Sequence, residues 1–119
     1  MFEIIHIDLF CTDVLLSINQ SDNKLFDCVS SKFTREEFDL GYEDWTSYAR
    51  TLTHQKGFII IRFREKITNN PISIGLVAHE AYHAAFSILE NVGIKPCRET
   101  EEVYAYLTQY IVTEILKLK

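Results

Sequence analysis

Breakers are scarce in this 119-residue chain, which holds only two prolines and four glycines. No Pro/Gly-rich linker divides it, and no repeat or low-complexity tract interrupts it, so one domain spanning residues 1–119 is expected. Cysteine is equally sparse. Cys11, Cys28 and Cys97 are odd in number and far apart, which suggests neither a disulfide framework nor a paired-cysteine zinc site. Positive charge is in deficit, with 12 Lys and Arg against 17 Asp and Glu and a net charge of −5. That balance argues against a nucleic-acid or anionic-membrane partner. The densest basic cluster, Arg62, Arg64 and Lys66, is too short to track phosphates. Uninterrupted apolar runs are only a few residues long, which reads as excluding a membrane-spanning helix. No stretch combines positive charge, an apolar block and a small-residue cleavage site, so a cytoplasmic location is expected.

What remains is the composition of an ordinary globular domain, 47% hydrophobic and 24% charged. Residues 2–10 (FEIIHIDLF) and 13–18 (DVLLSI) read as two strands of a hairpin. Leu25, Phe26, Cys28 and Val29 have helical spacing, with Ser21 or Asp22 as N-cap, although a third strand is the alternative. Residues 32–48 have no clean period and read as loop with a short helix. Residues 48–54 and 58–64 read as strands joined by Gln55-Lys56-Gly57, because Gly57 tolerates a tight turn. Arg62 and Arg64 alternate with Ile61 and Phe63, which suggests an edge strand with one partly solvated face.

After the breaker Asn69-Asn70-Pro71 a long helix is expected from Ile72 or Ser73 to about Val92, closed by Gly93. A second helix starts near Arg98 to Thr100, with acidic residues in its first turn and Lys117 and Lys119 in its last, as the helix dipole favours. Strands first and helices last give an α+β fold, a small antiparallel or mixed sheet packed against two long C-terminal helices.

The first of these helices carries His79-Glu80-Ala81-Tyr82-His83. Residues four apart project from one helix face, so both imidazoles can reach a single metal ion. Glu80, about 100° further around, stands beside that ion and within reach of a water on it. Two histidines, an open position and a neighbouring carboxylate base are the parts of a zinc hydrolase. With four histidines in the chain, chance would supply the motif in roughly one such sequence in a hundred. The bland alternative is a surface helix with two incidental histidines. A third protein ligand is needed, and Glu99, Glu101 and Glu102 open the second helix. Glu102 shares a stripe with Tyr106, Gln109, Tyr110 and Thr113, and Glu101 with Ala105, Thr108 and Val112. Helix phase alone does not choose between them.

HEAYH followed by a helical hairpin and EEVYAYL resembles the gluzincin branch of zincin-like zinc metallopeptidases. The resemblance covers roughly residues 48–113. It implies a zinc ion held by His79, His83 and Glu102, the last opening an E-x-x-A pattern, with Glu101 as alternate. It implies peptide-bond hydrolysis with Glu80 as general base, and an extended peptide or protein substrate lying along the strand of residues 58–64. The chain departs from larger members in having no subdomain after the glutamate helix to wall the cleft. That keeps a non-catalytic zinc-binding regulatory or interaction protein as the alternative.

Other residues have two readings each. Tyr106 or Tyr110 could donate to an oxyanion near the metal, or be core aromatics. His54 could face the cleft, and His6 reads as structural. Cys97, between the two helices, could occupy the open metal position as a thiolate or simply be buried. Phe38, Tyr42 and Trp45, with Glu43 and Asp44, could form a flap or a satellite cluster under a loop.

Overall fold

Among the described residues, four strands form one sheet, and both of its faces are covered. In the computed structural model, which describes residues 1–40, 48–53 and 58–119, the strands are β1 (Phe2–Ile7), β2 (Thr12–Ile18), β3 (Ala49–Thr53) and β4 (Ile59–Phe63). Their order is β1-β2-β4-β3. β1 and β2 form the expected antiparallel hairpin, turned by a short 3-10 segment at Asp8–Phe10, with Cys11 in the left-handed region. β3 and β4 are antiparallel, whereas β2 and β4 run parallel at the centre. The sheet is therefore mixed.

The helices are α1 (Asp22–Val29), α2 (Arg35–Leu40), α3 (Pro71–Asn91) and α4 (Glu101–Leu118). On one face, Ile5, Ile7, Val14, Leu16, Ile18, Ile59, Ile61 and Phe63 pack with Val77, Ala81, Ala84, Ala85 and Ile88 of α3 and Leu107, Ile111 and Ile115 of α4. This is the expected α+β layout with both long helices on one side. On the other face, Leu15 and Ile60 pack with Leu25, Val29 and Phe38 of α1 and α2. Ser21 caps α1 by accepting from the Lys24 N–H, which decides helix over strand for that segment. Phe38 is buried against Phe26, their ring centroids 5.3 Å apart, and belongs to this smaller cluster. Tyr42, Glu43, Asp44 and Trp45, His54, and the Gln55-Lys56-Gly57 turn lie outside the described residues.

Two expectations are corrected here. Residues 58–64 do not form an edge. β4 pairs on both sides, and the strand at that edge of the sheet is β3. The unbroken Phe58 to Ile61 run is what a strand covered on both faces requires. Arg62 misleads because its side chain is 3% exposed and its charge is met internally, by Asp22 at 2.5 Å and the Gln20 carbonyl oxygen at 3.1 Å. Secondly, α3 is long and apolar enough to pass as a membrane span by length and composition. It reaches that length by combining short apolar runs with alanines, and in this fold it buries Val77, Ala81, Ala84, Ala85, Ile88 and Leu89 in the core.

Signals at both ends of α3 act as read. The Asn70 side chain accepts from the Ser73 N–H at 2.8 Å, and Pro71 takes the first turn. At the other end Gly93 adopts φ +83°. Its N–H donates to the Glu90 carbonyl, and the Ile94 N–H to that of Leu89, closing a Schellman turn. The Tyr104 hydroxyl then donates to the Ile94 carbonyl oxygen at 2.6 Å and clamps the hairpin between α3 and α4.

Candidate metal-binding site on the third helix

The buried stripe of α3 contains three alanines, Ala81, Ala84 and Ala85, that let the helix settle closely on the sheet and on α4. That packing turns His79 and His83 outward. Both are exposed, and their Nε2 atoms lie 3.2 Å apart. Two nitrogens bound to one tetrahedral zinc at ~2.0–2.1 Å stand about 3.3 Å apart. The pair therefore has the bite of a metal chelate, and the two ring nitrogens are within hydrogen-bonding distance of each other.

Glu80 points sideways toward β3 and is 4% exposed. One carboxylate oxygen, Oε2, accepts from the Thr51 hydroxyl at 2.6 Å, while Oε1 stands 3.9 Å from His79 Nε2. Thr51 Oγ1 also lies 2.9 Å from the Glu80 backbone carbonyl oxygen. The carboxylate thus has one oxygen anchored and the other turned toward the imidazoles. Thr51 is the residue that sequence reasoning missed. It sits in the inward-facing register of β3 with Ala49, but no local pattern marks one strand threonine as the partner of a distant glutamate.

The third position is different. Among the described residues, no group of three or more His, Cys, Asp and Glu forms around this pair. The Phe86 and Tyr104 rings meet at a tilt between α3 and α4, their centroids 5.8 Å apart. Glu102 is exposed and is not among the residues that line the groove between the helices. Glu101 does line that groove, with Tyr82, Ala105 and Thr108. Glu99 is engaged locally, its carboxyl held below the usual range by hydrogen bonds from its own backbone and from Cys97. Cys97 itself is exposed and caps the 3-10 turn Arg98–Thr100.

Tyr106 is not brought to the histidines. It lines a separate hollow with Tyr110 and the Asp8–Phe10 turn, on the flank of α4 that faces β1. The Tyr110 hydroxyl donates to the His6 carbonyl oxygen at 3.1 Å, and the His6 ring pairs with Asp13 across the hairpin at 2.8 Å. Neither tyrosine lines the groove between α3 and α4, to which α4 contributes Glu101, Tyr104, Ala105, Thr108 and Gln109.

No family model, curated protein or solved structure matches this chain.

Proposed function

We propose that this chain is a small zincin-like zinc hydrolase of the cytoplasm that cleaves peptide bonds at His79, Glu80 and His83. The observation that carries the reading is the pairing of two Nε2 atoms at chelating distance with a buried, anchored carboxylate one step around the helix. Zinc bound there would supply Lewis acidity, polarising a carbonyl and lowering the pKa of a water to about 7. The protein's part is positional. Glu80 Oε1 is the oxygen left to take a proton, while Thr51 holds Oε2 and fixes the carboxylate plane. β3, the strand beside Glu80 at the edge of the described sheet, is where an extended peptide would add, in place of the strand at residues 58–64.

A second reading keeps the zinc but not the turnover: a non-catalytic regulatory or interaction protein. It is favoured by the absence, among the described residues, of a third His, Cys, Asp or Glu gathered with the histidine pair.

The test is zinc stoichiometry and peptide-library cleavage with protein purified without a histidine tag, wild type against Glu80→Gln. The hydrolase reading expects about one zinc per chain in both proteins and cleavage by wild type alone. Zinc in both with no cleavage by either supports the second reading. No zinc binding that depends on His79 and His83 overturns both.

A further inference from the structure

The edge of the sheet farthest from the histidines is β1, and its backbone polarity can be assigned residue by residue. Met1 and Ile18 exchange both main-chain hydrogen bonds, at 2.8 and 2.9 Å. In an antiparallel ladder such pairs alternate with non-bonded ones. The bonded pairs of the hairpin are therefore Glu3 with Leu16, Ile5 with Val14 and Ile7 with Thr12. Phe2, Ile4 and His6 turn their N–H and C=O groups outward. The Tyr110 hydroxyl reaches the His6 carbonyl oxygen from that side, as an outward carbonyl requires. Among the described residues no hydrogen bond covers the outward groups of Phe2 and Ile4.

β1 has few of the devices that normally blunt an edge. FEIIHI contains no proline, lysine or arginine, its one charged residue is Glu3, and its register with β2 runs through six residues without a bulge. Beside it lies an apolar surface. Leu9 is 86% exposed, Tyr106 67%, and Ile4, Tyr110 and Val103 each more than a third. All except Ile4 rim a hollow of about 470 Å³ between the Asp8–Phe10 turn and α4. The four that rim the hollow expose roughly 450 Å² per copy on the α4 flank, about half of the ~800 Å² per partner that a stable interface buries.

We infer that this edge is a dimer interface, with a second copy of the chain pairing antiparallel to β1 about a two-fold axis at Ile4. The outward groups of Ile4 then meet those of Ile4 of the partner subunit, and Phe2 stands opposite His6 of the partner subunit. This register sets Glu3 against Ile5 of the partner subunit, so no like charges face each other across the axis. A two-fold pairing is self-complementary, which lets one edge and one apolar flank serve both sides. The two four-stranded sheets become one of eight strands, and the two histidine sites lie at its opposite ends. The inference does not depend on the metal reading.

Light scattering and sedimentation equilibrium of the full chain test it. Wild type is expected at twice the chain's 13.9 kDa. Ile4→Pro removes an outward N–H, and Tyr106→Glu puts charge in the apolar flank. Each should raise the dissociation constant about tenfold or more, with circular dichroism unchanged. Tyr106 is mostly exposed, so Tyr106→Glu decides the matter if Ile4→Pro does not fold. A monomer at every concentration up to the solubility limit overturns the proposal, as does a folded Tyr106→Glu whose dissociation constant matches that of wild type. A monomer that instead binds an extended peptide along β1 also overturns it, by giving the edge a different occupant.

Discussion

Thr51 and Glu80 meet twice: one threonine hydroxyl lies 2.6 Å from the glutamate carboxylate and 2.9 Å from its backbone carbonyl oxygen. The contact ties the edge strand β3 to the helix that carries both histidines. Position on the strand and orientation of the carboxylate are therefore fixed by the same side chain.

Removing that hydroxyl should be costly out of proportion to its size. Thr51→Val keeps the shape of the side chain and leaves a buried carboxylate without its donor, a loss of about 1–3 kcal/mol. Thr51→Ser should recover most of it. Urea denaturation of the two variants checks this, and equal stability of Thr51→Val and wild type would show that the tie carries no energy.

Zinc should stabilise the fold through the two histidines. Binding to the folded state alone adds ~2.7 kcal/mol when free metal is a hundredfold above its dissociation constant. Thermal melts with and without zinc should show an upward shift in wild type. That shift should disappear in His79→Ala and in His83→Ala, and survive in Glu102→Gln if the two imidazoles are the whole donor set. Loss of the shift in Glu102→Gln would restore the three-ligand site implied by the gluzincin resemblance.

Arg62 and Asp22 should respond asymmetrically. Breaking a fully buried ion pair from one side costs about 3–5 kcal/mol. Asp22 is 37% exposed, so water can partly replace it, and Asp22→Ala should cost about 1–3 kcal/mol. Arg62→Met removes the buried charge itself and should be the milder change. Chemical denaturation of both variants tests the order, and the reverse order would mean that Arg62 is held mainly by other contacts.

Tyr104 predicts an alkaline limit. Burial first, and then the charges of Glu90, Tyr82 and Cys97, push its phenol above the ordinary tyrosine value of 10.0. The folded chain therefore holds this proton more tightly than the unfolded chain. Its contribution is complete below pH 10 and is lost as pH rises through the folded value. Tyr104→Phe should be less stable than wild type at neutral pH, since the bond to the Ile94 carbonyl is gone, and should lose less stability on further alkalinisation. Parallel slopes for the two proteins above pH 10 would contradict the assignment.

Much of this molecule was legible in its residues, and the exceptions share one cause. Asn70, Pro71 and Gly93 announce α3 through local backbone chemistry, and the four-residue spacing of His79 and His83 fixes their common face. Those features depend on neighbours within a turn or two. The place of β4 does not, because a strand's neighbours in a sheet are set by crossovers and not by its own alternation. Arg62 looked solvent-facing only while Asp22, forty positions away, was not known to meet it. The choice among Glu99, Glu101 and Glu102 is out of reach of the sequence for a similar reason. Phase around a helix can be read from sequence, but the sliding register of α4 on α3 depends on how Gly93 to Arg98 turns and on where Phe86 finds Tyr104.

The central parallel pairing of β2 with β4 has a kinetic consequence. Each of these strands already belongs to a hairpin closed over a short stretch of chain, whereas Val14 must find Ile59 across 45 positions. Closing such a loop is entropically slow. The expected order of assembly is two independent hairpins first and their seam last. In pulse-labelled hydrogen exchange, amides of the β1–β2 ladder should gain protection before those that join β2 to β4. Simultaneous protection would point instead to a single nucleus that spans the sheet.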